Sequence, residues 1–439
     1  MTVTVVGGGL AGCEAAWALA ERGVDVTIVE MRPVVRTEAH QTDRLGELVC
    51  SNSFKSVELQ NAHGLLKAEL RDLGSVLLPL ADEARVPGGA ALAVDRDVFS
   101  QLVHAKISSH PRITVTREEA TSIPDVGVIA TGPLTSSALA DAIKTRLGAD
   151  ALAFFDAIAP IVSNDSLDLD VLYAKSRWGK GEGDDYLNAP FTHADYEGFI
   201  DALTAADQFH GHEFDDVAYF EGCLPVEEMA RRGRETPRFG PMKPIGLHHP
   251  VSGLEPYAAV QLRREDKAAQ MWNLVGFQTR LRIPEQQRVF RMIPGLANAE
   301  FLRYGSIHRN SYINAPATLG PALMTRDGAP VFFAGQLTGV EGYTESIGTG
   351  LMAGINLARV LDGHAPLTPP PTTMLGGLYR YLRDADPKHF QPMNANFGLL
   401  DPLASKARKD EKKQLQVDRA RANFAEWLLS SSARRGMDS

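Results

Sequence analysis

Thr2-Val-Thr-Val-Val6 runs directly into Gly7-Gly8-Gly9-Leu10-Ala11-Gly12, and this junction decides how the N-terminal part of the chain folds. The first five residues are a short β-branched run, the pattern of a buried strand. After the glycines, Cys13-Glu-Ala-Ala-Trp-Ala-Leu-Ala-Glu-Arg-Gly23 has helical apolar spacing and stops at a glycine. Val24–Val29 reads as a second strand, closed by Glu30. Gly7, Gly9 and Gly12 fit the spacing G-x-G-x-x-G. The first glycine allows the tight turn, the second lets the backbone approach a pyrophosphate, and the third lets helix and strand pack closely. A diphosphate would rest on the helix N-terminus, where free N–H groups and the dipole favour an anion. Glu30 stands 18 residues after Gly12, where a carboxylate can accept from ribose hydroxyls. Strand, turn, helix, strand and acid together predict a dinucleotide-binding unit.

The fingerprint alone does not separate FAD from NAD. A second feature favours FAD. Val331-Phe-Phe-Ala334 reads as a buried strand, followed by Gly335-Gln-Leu-Thr-Gly339-Val-Glu341-Gly342 and a small-residue helix from about Ser346 to Arg359. Two-segment flavoproteins place such a helix end against the flavin, and Val126–Gly132 resembles the strand that closes many FAD domains. The expected cofactor residues are therefore Gly7, Gly9, Gly12, Glu30, Gly335, Gly339, Glu341 and Gly342. For Glu341, and for the neighbouring Tyr343, a plain loop role is the competing reading. The expected fold class is α/β. A Rossmann-like FAD-binding domain of the glutathione-reductase type is built from segments 1–145 and 301–370, around an inserted α/β domain (146–300). A helical C-terminal segment (371–439) follows the Pro366–Pro371 linker.

A chain of 439 residues exceeds what one core usually organises, so two or three domains are expected. With 44% hydrophobic and 23% charged residues it is neither disordered nor fibrous. No run approaches the roughly 18–20 apolar residues of a membrane span. No basic region precedes the apolar run Val3–Val6, so no signal peptide is expected. Cys13, Cys50 and Cys223 are too few and too scattered for a disulfide framework or a zinc site, so no metal is expected and a reducing cytoplasm is the expected setting.

The net charge of −9 argues against nucleic-acid or membrane binding by the whole surface. Two local tracts run the other way. Arg231–Lys243 carries five basic residues to one acidic, and Ser405–Arg421 seven to three. Each tract is either a solvated face or a grip for a polyanion.

Cys13 follows Gly12 inside the first helix, where a small residue packs against a sheet. Cys50 lies in the polar stretch Glu47-Leu-Val-Cys50-Ser-Asn-Ser53-Phe-Lys55. Cys223 lies in Phe220-Glu-Gly-Cys223-Leu-Pro225, with Arg231, Arg232 and Arg234 downstream. Nearby cations favour a thiolate, which makes Cys223 the better nucleophile candidate on residues alone.

Ten blocks in order from Val5 to Gly350, among them ELVCSNSFKS, FEGCLPVEEMARRG, RFGPMKPIGL, NLVGFQTRL and AGQLTGVEGYTESIGTG, resemble the folate- and FAD-dependent tRNA uracil-5 methyltransferase family. The tail past about residue 370 matches less distinctively. Ala189 stands before Pro190 where many relatives are expected to carry cysteine, which narrows attention to Cys50 and Cys223. The resemblance implies C5 methylation of a T-loop uridine in tRNA. The carbon comes from 5,10-methylenetetrahydrofolate, and the reducing equivalents come from FAD reduced by NADH or NADPH. It also implies Cys223 as the C6 nucleophile and Cys50 as a second catalytic thiol. Arg231, Arg232, Arg234, Arg238 and Lys243, with Lys409 as an outer contact, are the expected RNA-binding residues. No obligatory protein partner and no membrane are implied. The nearer rival is a glucose-inhibited-division type flavoprotein, which modifies tRNA wobble uridines with the same cofactors and a partner protein; a small-molecule NAD(P)H-dependent flavin oxidoreductase and a non-catalytic, flavin-stabilised RNA-binding scaffold are the further rivals. Asp95, Arg96 and the His308-Arg-Asn310 stretch are weaker candidates for the same site.

Overall fold

The computed structural model describes residues 2–37, 39–148, 152–209, 224–266, 268–388, 390–403, 408 and 411–431, with the side chains of 152–158 and 306–311 left out. The N-terminal strand forms as Thr2–Val6 and sits at the centre of a five-stranded parallel sheet. Across the sheet the strands are Val331–Phe333, Gly127–Ile129, Thr2–Val6, Asp25–Glu30 and Ile113–Arg117. In chain order this is 5-4-1-2-3, the winding of a Rossmann-like sheet, with its reversal between Thr2–Val6 and Gly127–Ile129. The central strands are apolar because both faces are covered; Val3, Val5, Ile28, Val128 and Phe332 are all fully buried.

The helix after the first glycine turn spans Leu10–Ala20 and crosses the late helix Tyr343–Leu361. The late helix is rich in small residues because its backbone touches the first helix. A Cβ on Gly350 would lie 2.3 Å from the Ala11 carbonyl oxygen, and one on Gly354 2.5 Å from that of Ala15. The late helix begins three residues before the start expected from the sequence, with Gly342 as its N-cap.

A second, antiparallel sheet has its own core. Its strand order is Tyr173–Ala174, Tyr186–Phe191, Ala258–Arg264, Met271–Leu274, Ile161–Ser163 and Phe301–Arg303. Phe191, Tyr196, Phe199, Phe277 and Phe290 fill the space between this sheet and the helices His193–Ala205 and Ile283–Phe290. A two-stranded ribbon, Leu152–Ile158 against Ser306–Tyr312, joins the two sheets.

The C-terminal segment packs on the first core. Helix Met374–Asp384 is capped by the buried carboxylate of Glu69, which accepts from the N–H groups of Met374 and Leu375. Helix Lys412–Ser431 buries Val417, Ala420 and Phe424 in the same core. No helix among the described residues is long and apolar enough to cross a membrane.

Candidate active site

The first glycine turn has the geometry its spacing predicts. Gly7 has φ 103°, and a Cβ there would lie 2.6 Å from the Ala130 carbonyl oxygen. A Cβ on Gly12 would lie 1.8 Å from the Gly7 oxygen. Around a Cβ on Gly9, by contrast, there is nothing within 4 Å. Gly7 and Gly12 are thus required by the protein, whereas Gly9 leaves open space beside a groove of about 530 Å³ lined by Gly7–Gly9, Glu30, Arg32 and Thr131. No side chain caps the helix that starts at Leu10, so its first N–H groups are left for another acceptor.

Glu30 ends the second strand and is 4% exposed. One carboxylate oxygen accepts from the Gly8 N–H at 2.8 Å; the other accepts from Arg32 Nε at 2.8 Å and from the Arg32 N–H at 3.0 Å. Burial pushes its pKa up, but Arg32 and these N–H groups outweigh it and hold the carboxyl below its ordinary value. Arg32 in turn reaches Glu47 at 3.0 Å, which ties the turn to the loop that leads to Cys50.

The second glycine turn is built from distant parts of the chain. Gly335 donates its N–H to Thr349 Oγ1 of the late helix. Gly339 packs on Phe390 and accepts from the Met393 N–H, while the Glu341 N–H donates back to the Met393 oxygen. The Ala395 N–H donates to Glu345, the buried acid in the first turn of the late helix. Glu341 also accepts from Gln336 Nε2 at 3.1 Å.

Against this turn lies the Cys50 loop. The Tyr343 hydroxyl accepts from the Cys50 and Ser51 N–H groups, both at 3.0 Å, and donates to the Ser51 oxygen at 2.8 Å. Burial raises the Tyr343 phenol, and the neighbouring Cys50 adds to the shift, so the hydroxyl stays protonated and able to donate. From the second core, Arg263 Nε donates to Asn52 Oδ1 at 2.8 Å and Arg263 Nη2 to Ser51 Oγ at 3.2 Å. Asn52, fully buried, donates to the carbonyls of Val94 and Arg264, one from each side. Arg303 donates to the Val49 oxygen. Arg96, close by, pairs with Glu265 at 2.8 Å, while Asp95 caps the helix Arg96–Ser108.

The result is an open cavity, about 880 Å³ with its solvent-facing mouth included, whose walls include Cys50, Lys55, Arg263, Gln278, Gln336, Glu341, Gly342, Tyr343 and Asn394. Cys50 is half-buried on this wall. Cys13, by contrast, is fully buried, and its thiol is pushed up chiefly by burial and then by Glu30. Lys55 adopts φ 63°, unusual for a side-chain-bearing residue, and such outliers gather at functional sites.

Cys223 lies outside the described residues, as does Lys409. The chain resumes at Leu224, which is buried, and the Val226 N–H donates to the oxygen of Gln278, a cavity-wall residue. The remaining expected RNA contacts are on or after the helix Val226–Arg232. Arg231, Arg232 and Lys243 are exposed. Arg234 is paired with Glu197 and Asp201; Arg238 is paired with Glu235 and stacks on the Tyr257 ring at 3.7 Å. His308, Arg309 and Asn310 fall within the strand Ser306–Tyr312.

Sequence reasoning missed Arg263, Gln278, Gln336 and Asn394. Gln278 and Gln336 belong to quoted blocks and were legible as members of them. Arg263 and Asn394 carry no local signal, since a strand arginine and a loop asparagine become wall residues only through tertiary pairing.

The structure thus combines a Rossmann-like sheet, whose first glycine turn leaves open space at Gly9, with a cavity at the second glycine turn that carries Cys50 on its wall. The family model for glucose inhibited division protein A matches residues 2–365. A methylenetetrahydrofolate–tRNA-(uracil-5-)-methyltransferase, TrmFO, of Geobacter sulfurreducens is 55% identical over 430 residues, covering 98% of this chain and 99% of that protein. The enzyme of the same name from Heliobacterium modesticaldum is 52% identical over 434 residues, covering 98% and 99%. A crystal structure of Aquifex aeolicus GidA superposes with a TM-score of 0.69 at 17% identity, covering 99% of this chain and 75% of that one, which establishes the likeness of fold. The chain belongs to the glucose inhibited division protein A family and, within it, to the TrmFO family.

Proposed function

We propose that the protein is a flavoenzyme that methylates C5 of a T-loop uridine in tRNA. The carbon would come from 5,10-methylenetetrahydrofolate and the electrons from NADH or NADPH through FAD. The observation that carries this reading is the seating of Cys50 on the wall of the cavity formed by the second glycine turn.

The residues present fit FAD. Gly9 leaves room for a diphosphate, the uncapped helix N-terminus offers N–H groups to it, and Glu30 retains lone pairs for ribose hydroxyls. Gly335, Gly339, Glu341 and Gly342 would hold the ring end, near the start of the late helix. When bound, the flavin supplies the reducing equivalents that turn a transferred methylene into a methyl group.

The chain's own residues account for the rest. Uracil C5 is a poor nucleophile until a thiolate adds at C6; the resulting enolate can attack an electrophilic methylene carbon. Cys223 is assigned to that addition. Its segment re-enters the described structure at Leu224–Val226, anchored to the wall residue Gln278, which favours delivery to the same cavity. Cys50 is assigned as the second thiol, at the proton or carbon transfer that follows. The amide groups of Gln278, Gln336 and Asn394 are suited to uracil or pterin edges, and Arg263 and Lys55 to anionic groups. RNA phosphates would be met by Arg231, Arg232 and Lys243, with Arg234 and Arg238 needing to exchange their carboxylate partners. Lys409 remains a proposed outer contact.

Nucleoside mass spectrometry of an unmodified tRNA transcript tests this reading. The transcript is incubated with protein, 5,10-methylenetetrahydrofolate and NAD(P)H, with a parallel sample lacking folate. Folate-dependent 5-methyluridine confined to the T-loop is expected, and Cys50→Ala and Cys223→Ala should each lower it by at least 10²-fold while the protein stays yellow. Absence of methyluridine from flavin-loaded protein that oxidises NAD(P)H would transfer the reading to a small-molecule oxidoreductase.

A further inference from the structure

Trp178 is the most conspicuous residue that this reaction leaves without a task. The residue is 66% exposed, and its backbone adopts φ 60°, ψ 22°, the left-handed region that bulky side chains avoid. Strain of this kind persists only where the surroundings enforce it, and here they do. The loop is held by Asp185, a buried carboxylate that accepts from the Gly89 N–H at 2.8 Å and from Ser176 Oγ at 3.1 Å. Arg177 points the other way and donates to the carbonyls of Lys243 and Ile245 and to Gln261 Oε1.

The ring is seated as well as displayed. A Cβ on Gly246 would lie 2.9 Å from Trp178 Cε2, so one part of the indole rests on a bare glycine backbone while most of the ring faces solvent. Lys243, whose carbonyl accepts from Arg177 and which precedes Gly246 by three positions, is exposed, whereas Lys175 is half-buried and donates its Nζ to the His248 oxygen at 3.0 Å. Lys180 pairs with Glu58 at 2.6 Å, and the acids Glu182 and Asp184 belong to the returning limb of the loop. The Lys180–Glu58 link sets the location. Glu58 follows the cavity residue Lys55 by three positions, so Trp178 stands no more than about 30 Å from the cavity wall.

A rigidly presented aromatic face with an exposed cation near its seat is what an unpaired nucleobase requires: a stacking surface with a phosphate contact next to it. We propose that Trp178, seated on Gly246 with the exposed Lys243 three residues before that glycine, is a base-stacking platform. It engages an unpaired nucleotide of the RNA whose uridine enters the cavity. This rests on the tRNA reading above and adds to it the residue that grips the RNA outside the reacting base.

The test uses the full-length holoenzyme and an unmodified tRNA transcript. Trp178→Ala should weaken transcript binding about tenfold and raise KM by a similar factor, because one stacked base is lost. The rate at saturating RNA and RNA-independent NAD(P)H oxidation should stay near wild type. Trp178→Phe should recover most of the affinity. Lys243→Ala should instead shallow the dependence of binding on salt by about one ion, which Trp178→Ala should not. Wild-type affinity in Trp178→Ala, with methylation intact, overturns the platform and leaves the tRNA reading standing. A change in sedimentation without a change in RNA affinity also overturns it and assigns the face to a protein contact. If the wild-type protein itself neither binds nor methylates the transcript, the tRNA reading falls first.

Discussion

The two glycine turns of this molecule solve the same problem in opposite ways. The first, Gly7–Gly12, takes its hydrogen bonds from residues within a few dozen positions, although it packs on Ala130 as well: Glu30 takes the Gly8 N–H, and Arg32 holds Glu30. The second, Gly335–Gly342, depends on partners from across the chain: Phe390 and Met393 from the C-terminal segment, and the Cys50 loop through Tyr343. The local turn makes a rigid cradle whose purpose can be read from its spacing. The long-range turn makes a place where elements from both cores meet, and Cys50 lies on its wall. Cys13 and Cys50 mark the contrast. The cysteine beside the first turn is fully buried, and the one beside the second lines a cavity.

The largest effect is expected where the first turn is tightest. Gly12→Ala would force a methyl within 1.8 Å of a backbone carbonyl that cannot withdraw, so a loss of about 3 kcal/mol or more, or outright failure to fold, should appear in denaturant unfolding. Gly9→Ala meets no protein atom and has ordinary backbone angles, so its apo-protein stability should change by less than about 1 kcal/mol. Visible absorbance should nonetheless show that Gly9→Ala retains little flavin. Equal flavin retention by Gly9→Ala and wild type would break the assignment of the first turn as the diphosphate cradle.

A smaller effect is expected at the second turn. Tyr343→Phe keeps the ring against Phe54, at 5.5 Å between centroids, and removes the hydroxyl that serves three backbone groups of the Cys50 loop. Groups left unsatisfied cost about 1–3 kcal/mol. The loop should loosen before the fold does. Methylation should fall about tenfold or more while flavin content holds. In a Cys223→Ser background, where Cys13 is buried, the alkylation rate should report the changed setting of Cys50. An unchanged alkylation rate together with unchanged methylation would show that the long-range turn does not position the thiol.

The same contrast explains what the sequence made legible. The parallel sheet, its first helix and Glu30 were readable because each signal is local: period, glycine spacing, and an acid at a strand end. The late helix was readable too, except that its start at Tyr343 was placed three residues late; Gly342-Tyr-Thr-Glu carries no capping side chain to mark it. Cys50 stood out only by resemblance. Arg263 and Asn52 acquire their roles through contacts 211 and 212 positions apart, and Asn394 reaches the cavity wall beside Ala395, whose N–H meets Glu345 50 positions away; no window of sequence contains these. Helix 374–384 returns the chain so that residues 390–396 lock the second turn, and nothing in the composition of a helical tail foretells that return.

The smallest effect should come from the acid that closes the first turn. Glu30 has a folded pKa below its unfolded value of about 4.5, because Arg32 and two N–H groups stabilise the charged form more than burial opposes it. A lowered carboxyl pKa contributes stability that is present above about pH 4.5 and is lost as pH falls through the folded value. Glu30→Gln keeps the shape and an acceptor oxygen but removes the charge. It should therefore cost about 1–3 kcal/mol at pH 7, softened by Glu47, which still faces Arg32. The gap between the two proteins should close as pH falls below about 4, where the wild-type carboxyl takes up its proton. Urea unfolding at a series of pH values measures the gap directly. A gap that persists undiminished at acid pH would mean that Glu30 acts by shape alone, and the first turn would then be held by packing and not by its own ion pair.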